Sequence, residues 1–353
     1  MLIKPSCIIF SHPSDVHVTA VLENLDKGTV PYILDFGEFC RSFGASLKLG
    51  EKSALQLTSS SGDRLEVSEL ETIWWRRPQP IYAEVPSDIK THSFVNEEYL
   101  RFWQSALAVL AALPNVRWYN PYKKNETADC KFRQLEVATE VGLSVPKTIA
   151  TNVYEDAINF IKQNNSKTIF KSFAGNEDFW QPTRPYKDTY ENHLKDSIGF
   201  CPIILQEYID GAYDYRIIVI DDQIFPVRFC LKNSRYPYDV RIDIKNKAES
   251  ATLNDELRTK ILAFMKNYGI RYGAFDFRED LQGDLYFLEV NPAGQFLYLD
   301  HLAGTTIARA MAAALSSNRS SISRTFQKVS HTYYPGNNLP FSAVVPDRIE
   351  HIN

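Results

Sequence analysis

Phe275-Asp276-Phe277 and, after a turn at Asp280–Gly283, the run Phe287-Leu288-Glu289-Val290-Asn291-Pro292 decide how this sequence is read. Successive side chains of a strand point to opposite faces, so Glu289 and Asn291 share one face. If the two runs pair as a hairpin centred near Leu281–Gln282, Asp276 lies diagonally across from Glu289 on that face. Phe287, Leu288 and Val290 mark a buried strand, where carboxylates without partners are costly. Three oxygen-bearing side chains at strand ends suit Mg2+, which takes few protein ligands and completes its shell with phosphate and water. A solvated face on an edge hairpin is the plainer alternative, and the apolar neighbours weaken it.

Working outward, Leu253–Tyr268 carries apolar residues at helical spacing, and Tyr215–Ile220 with Gln223–Cys230 reads as a hairpin around Asp221–Asp222. Strands are expected at Thr168–Ser172 and Ile203–Ile209, separated by a polar stretch. One helix is expected from about Glu126 to Val141, with Ala128, Phe132, Leu135, Ala138 and Val141 inward and Gly142 as its stop. Asn152 and Glu155 have the spacing of a capping box for a helix ending near Asn164. Asn96 is the expected cap of a helix through Leu113, whose apolar side includes Trp103, Ala106, Leu107 and Leu110. That stripe could serve a homodimer interface. The first domain boundary falls near Trp118–Pro121. Before it, Cys7–Phe10, a helical Val16–Leu25, Tyr32–Phe36 and Thr72–Trp75 form an α/β unit, with Leu47–Val67 a hairpin turning at Gly62–Asp63. A last helix covers Thr305–Leu315, and residues 321–353 read as an irregular tail.

Composition narrows the function classes. The 353 residues are 44% hydrophobic and 23% charged, which excludes disorder throughout. The charge of −4, from 39 Lys+Arg against 43 Asp+Glu, argues against a nucleic-acid partner. No apolar run approaches the ~20 residues of a membrane span, and the first 14 residues lack a signal peptide's pattern. Five scattered cysteines with no CxxC pair fit reduced thiols in a cytoplasmic protein. The histidines have no metal-ligand spacing, and no GxSxG or Cys–His pattern supports a hydrolytic nucleophile.

Two lysines fit a nucleotide's phosphates: Lys171 in the apolar run Ile169-Phe170-Lys171, and Lys131 on the helix after the first boundary. Either alone would be an ordinary snorkelling residue. Their order before Gln206-Glu207-Tyr208-Ile209 changes that estimate, because a strand-end carboxylate with adjacent backbone groups can read an adenine edge and ribose hydroxyls. The segment 174–185 is expected to be a flap over the phosphates.

In order, Lys131, Lys171, Gln206–Ile209, Asp214-Tyr215-Arg216, Asp276, Glu289 and Asn291 resemble the signature of the ATP-grasp carboxylate–amine ligases, over roughly Asn120 to Ala314. Leu288 to Phe296, Trp74-Trp75-Arg76-Arg77-Pro78 and Asp239-Val240-Arg241 resemble the graspetide synthetases, the microviridin-type peptide macrocyclases. Ala293 and Phe296 depart from that family, which often has Asn and Trp there. The resemblance implies an α+β fold: a pre-ATP-grasp α/β domain (1–118), then central (119–205) and C-terminal (206–320) ATP-grasp subdomains with nucleotide between antiparallel sheets. It implies ATP and Mg2+ as cofactors, with Asp214 beside the nucleotide. Its reaction phosphorylates a carboxylate to an acyl phosphate that a hydroxyl or amine then attacks. Arg216, Arg228 or Arg241 could grip that phosphate, although acidic neighbours (Asp214, Asp239 and Asp243) make structural pairing an alternative. Arg76 and Arg77 would wall a cleft behind the two tryptophans, and Arg235, Asp239 and Arg241 would dock the leader of a ribosomal precursor peptide. The rival readings are an ATP-grasp ligase for free amino acids or a protein tail, and a non-catalytic nucleotide-binding protein.

Overall fold

The computed structural model describes residues 1–37, 43–48, 54–59, 62–81, 91–173, 182–232, 234–239 and 248–316. In chain order these form β1 (Leu2–Ile3), β2 (Cys7–Phe10), α1 (Val16–Leu22), β3 (Pro31–Leu34), β4 (Phe43–Lys48), β5 (Ala54–Ser59), β6 (Arg64–Glu66), β7 (Thr72–Trp75), α2 (His92–Ala111) and β8 (Arg117–Tyr119). There follow α3 (Tyr122–Ala128), α4 (Lys131–Glu140), β9 (Thr148–Thr151), α5 (Tyr154–Gln163), β10 (Thr168–Lys171), β11 (Arg184–Pro185), α6 (Glu191–Ser197) and β12 (Ile203–Glu207). The last part is β13 (Gly211–Ile220), β14 (Gln223–Cys230), β15 (Ala248–Ser250), α7 (Asp255–Tyr268), β16 (Tyr272–Asp280), β17 (Leu285–Asn291), α8 (Leu297–Ala303) and α9 (Ile307–Leu315).

The strands make four sheets. A parallel sheet, β3-β2-β7-β8, is the α/β unit read from the sequence, and β1-β6-β5-β4 stands beside it. The other two are antiparallel, β11-β10-β12-β9 and β15-β14-β13-β16-β17, so the fold class is the expected α+β. The five-stranded sheet positions the site, and alternation decides its faces. Tyr215, Ile217, Val219, Phe275, Phe277 and Phe287 pack on one side with Ile261, Phe264 and Met265 of α7. On the other side Ile218, Ile220, Tyr272 and Ala274 pack under α8 and α9, leaving Asp214, Arg216 and Asp276 as the polar end of the same face.

Several local expectations are corrected. The helix expected over 126–141 is two, broken at Asp129-Cys130, and Phe132 is exposed rather than inward. Gly142 does stop it, at φ +80°. Asn96 is not the N-cap: α2 starts at His92, and its apolar stripe (Trp103, Ala106, Leu107 and Leu110) is buried inside the N-terminal core, which removes the basis for a dimer interface there. Asn152 is not a helix cap either; Thr151 Oγ1 accepts from the Val153 amide just before α5. The helix α8 was not expected at all. The tryptophans are core rather than cleft wall, with Trp74 buried and Trp75 packed on Phe10 at 5.0 Å. The tail 321–353 lies outside the described residues, as does most of the expected flap. No helix among the described residues is long and apolar enough to cross a membrane.

The N-terminal unit is fastened to the five-stranded sheet by buried polar groups. Asp15 caps α1 through the His17 amide (2.8 Å) and takes the His17 ring at Nδ1 (3.1 Å). His17 Nε2 in turn accepts the Phe296 amide (3.2 Å). Burial, then the nearby Arg76 charge, hold His17 neutral, with its pKa lowered to about 4 from 6.5. Burial alone would raise Asp15, but the His17 hydrogen bond and Arg76 outweigh it and keep the carboxylate ionised. Unfolded His17 therefore binds a proton that the folded chain refuses between pH 6.5 and about 4. This stabilisation is present above pH 6.5 and lost as pH falls towards 4, by about 3 kcal/mol in all. Urea melts at pH 7 and pH 4.5 should show His17→Gln losing less stability than the unmodified chain; equal losses would mean that His17 takes no part.

Candidate functional site

Four charged side chains stand in a row across the sheet. Arg216 on β13 faces Asp276 on β16, and Asp276 faces Glu289 on β17. Arg216 Nη1 lies 2.8 Å from both Asp276 oxygens, and Lys131 Nζ reaches Glu289 Oε2 at 3.1 Å. The expected diagonal relation is thus a direct one, and a bulge makes it so. Phe277 pairs with Phe287 but Asp276 pairs with Glu289, so Leu288 is an extra residue. Were Leu288 paired regularly, Glu289 would fall opposite Phe275 and point into the core with Phe287; the bulge keeps it on the face of Asp276. Asn291, two residues on, accepts the Ala293 amide at Oδ1 (2.9 Å) and starts the turn after the strand.

Lys131 is delivered by a device that pattern reading missed. Gln134, one turn further along α4, is buried and bonds the main chain of β17 on both sides: its Nε2 donates to Val290 O (2.9 Å) and its Oε1 accepts from Val290 N (2.9 Å). The helix is thereby locked beside Glu289. Asn120 does the same for the ends of the hairpin, accepting from the Arg271 and Tyr272 amides and donating to Tyr272 O and Pro292 O, all within 3.0 Å. An Asn or Gln with several main-chain partners has no sequence period, so only its amide chemistry could have drawn attention to it.

The second sheet supplies the other expected residues. Leu205, Phe170 and Ile149 pack under α5, which leaves Gln206 and Lys171 on the opposite face. Gln206 is buried; its Nε2 donates to Thr148 Oγ1 (3.0 Å), and its Oε1 is buried with no donor. Glu207 turns back to the Lys147 amide (3.3 Å), and the Tyr208 amide donates to Lys167 O. Arg278, which the sequence reading did not single out, ties this strand to the hairpin. It pairs with Asp214 through two bonds (2.7 and 2.8 Å), donates to Ile209 O (3.4 Å) and lies 5.4 Å from the Tyr208 ring centre. Asp214 is therefore committed to Arg278 rather than open to a nucleotide.

The remaining arginines separate by partner. Arg228 pairs with Glu249 (2.8 Å) and stacks over Tyr213, so its acidic partner is not one of those close in sequence. Arg76 is buried and donates to the carbonyls of Ala293 (2.5 Å) and Gly294 (3.1 Å); Arg77 is exposed and donates to Ala293 O (3.2 Å). Arg76 is thus a buried link to this loop rather than part of a cleft wall. Asp239 is buried and accepts from the Thr183 amide (3.4 Å), while Arg235 is exposed. Arg241 lies outside the described residues.

The donor set fits a nucleotide with a hard cation. Among the described residues no cluster of three or more His, Cys, Asp and Glu could hold a metal, so a cation here would need the Asn291 amide and phosphate oxygens beside the two carboxylates. Arg216 Nε is buried without a hydrogen-bond partner, a donor suited to an anionic oxygen. Burial would lower the Arg216 pKa, but the Asp276 charge holds it above the usual value, so it stays a cation.

Solved structures share this architecture. Macrocyclase MdnC bound with precursor peptide MdnA from Microcystis aeruginosa MRC is 22% identical, with a TM-score of 0.74 over 89% of this chain and 99% of that one. A Chryseobacterium gregarium RiPP-associated ATP-grasp ligase, in complex with ADP and a leader and core peptide, is 22% identical (TM-score 0.77; 88% and 96%). Macrocyclase MdnB from Microcystis aeruginosa MRC is 25% identical (TM-score 0.72; 88% and 98%). A search of curated protein sequences returns no match. The RimK-like ATP-grasp domain matches residues 128–315, more than half of the chain and the span that holds the whole charge row, so the chain belongs to the RimK-like ATP-grasp family and is an ADP-forming ATP-grasp ligase.

Proposed function

We propose that the chain is an ATP-dependent macrocyclase that joins side chains within a ribosomally made precursor peptide. It would link an Asp or Glu carboxylate to a Ser or Thr hydroxyl, or to a Lys amine, through an acyl phosphate. The observation that carries this reading is the row Lys131–Glu289–Asp276–Arg216 on a RimK-like fold. Its support for a peptide substrate is the likeness, over nearly the whole chain, to solved ligases that hold precursor peptides.

Each residue then has a physical task. Asp276, Glu289 and Asn291 would hold Mg2+, which when bound neutralises charge on the phosphate oxygens. Lys131 and Lys171 would bind the α and β phosphates, Lys131 releasing Glu289 to do so. The Gln206–Ile209 stretch would read the adenine and ribose, the bare Gln206 Oε1 suiting an amino-group donor. Arg216 would steady the phosphoryl group as the substrate carboxylate attacks it and ADP leaves. The hydroxyl or amine then attacks the acyl carbon, phosphate leaves, and the peptide has lost one water. Arg77, exposed beside this end of the sheet, would meet the peptide, and Arg235 and Arg241 would dock its leader, with Asp239 buried on the Thr183 amide. Cytoplasmic residence, where ATP and reduced thiols are available, belongs to the same reading.

Two measurements test it. Glu289→Gln should fold as before, judged by thermal melting, yet lose at least about tenfold in turnover, or about 1.4 kcal/mol of barrier. A smaller drop would sink the metal assignment. Mass spectrometry of a candidate precursor incubated with enzyme, Mg2+ and ATP should show successive losses of about 18 Da, the mass of one water per condensation. A mass gain that appears only when free amino acids are supplied would overturn the macrocyclase and favour an amino-acid ligase.

A further inference from the structure

The loop from Ala293 to Phe296 is gripped from two directions. From the N-terminal unit, Arg76 donates to the Ala293 and Gly294 carbonyls, Arg77 to the Ala293 carbonyl, and His17 accepts the Phe296 amide. From the sheet, the Tyr272 hydroxyl donates to Gly294 O (2.7 Å) and Arg216 Nη2 reaches Gln295 O (3.4 Å). The fit is close: a Cβ at Gly294 would overlap the Ala274 methyl and stand 2.7 Å from Arg216 Nη2. Arg76 itself is 1% exposed, with its Nε 3.2 Å from Asp15 Oδ2, and Asp15 also holds His17. A buried guanidinium is expensive, and an apolar side chain would fasten two units at less cost. What an apolar residue could not do is fix two carbonyls whose loop lies against the Arg216 guanidinium.

We propose that Arg76, backed by Asp15 and His17, is a positioning residue: it holds the Ala293–Phe296 loop so that the loop sets Arg216 against Asp276 and aims its open Nε at the transferred phosphoryl group. This rests on the reading of Arg216 given above. Arg76 touches no reacting atom; it acts through the loop. The N-terminal unit thus takes part in phosphoryl binding across 217 residues of sequence.

The test separates the γ-phosphate from the rest of the nucleotide by comparing calorimetric affinities for Mg·AMPPNP and Mg·ADP. Arg216→Gln should weaken AMPPNP by about tenfold, equivalent to about 1.4 kcal/mol, and leave ADP nearly unchanged. Arg76→Gln should weaken AMPPNP severalfold, again with ADP unchanged. The double variant should be no weaker than Arg216→Gln alone, because residues acting through one contact are not additive. His17→Leu should behave like Arg76→Gln, whereas His17→Gln, which keeps an acceptor for the Phe296 amide, should recover the AMPPNP preference. If Arg76→Gln does not fold, shown by lost ADP binding, the two His17 variants decide the matter. An unchanged AMPPNP-to-ADP ratio in the Arg76 and His17 variants, with the Arg216 effect intact, overturns the positioning role and leaves the function standing. So does an additive double variant. If Arg216→Gln itself leaves the ratio unchanged, both the positioning role and the task given to Arg216 fall, while the Glu289→Gln result still judges the metal site.

Discussion

That the hairpin takes up Leu288 as a bulge, rather than pairing it, governs what the sheet can do. A regular hairpin would put Glu289 on the side of Phe277 and Phe287, under α7, where a carboxylate would have to lose its charge or find a buried cation. The bulge places it next to Asp276 instead, and two carboxylates side by side then need compensation. Arg216 supplies it at one end of the row and Lys131 at the other. Balanced in this way, the four groups form a preorganised set, and under the proposed function their charges would be exchanged for those of a nucleotide and its cation with little reorganisation of the sheet.

The supporting contacts follow from the same need to fix charge in place. Gln134 locks the helix that carries Lys131, Asn120 closes the two ends of the hairpin, and Arg278 binds the neighbouring strand end to Asp214. Each uses a side chain with several donors or acceptors against main-chain atoms, so the position of the charged groups depends on backbone geometry more than on packing. The apolar core on the other face provides rigidity, with Phe264, Phe275, Phe277 and Phe287 in mutual contact at 5.2–6.3 Å between ring centres.

Much of this was legible in the sequence. The Asp280–Gly283 turn between two apolar runs located the hairpin, and Gly283 does adopt a left-handed φ of +93°. Two-residue periodicity placed Glu289 and Asn291 together, and the ordered lysines and carboxylates pointed to the right family. What was missed was non-local. The bulge has no signal of its own, because Leu288 fits a strand as well as any residue. The break at Asp129-Cys130 interrupts a pattern that remains helical on both sides of it. Arg228 and Asp214 have partners 21 and 64 residues away, whereas Asp214 and Asp239 stand nearer to Arg228 in the sequence, and Arg216 nearer to Asp214. Arg76 read as part of a cleft wall because its acceptors, two carbonyls 217 and 218 residues on, carry no side-chain identity.

Because Arg216, Asp276 and Glu289 meet through strand register, the row tolerates some changes of length and not others. Residues added at the tip of the turn, between Asp280 and Gly283, lengthen a loop and leave the pairing below it intact. A single insertion after Phe287 would leave two residues there without partners or, in a regular ladder, carry Glu289 past Asp276 to face Ala274. Deleting Leu288, by contrast, would leave Glu289 directly after Phe287 and still opposite Asp276. Related chains should therefore vary in length at that tip, and those without the odd residue should carry the carboxylate directly after the position of Phe287, a spacing rule that identity at any one position would not reveal.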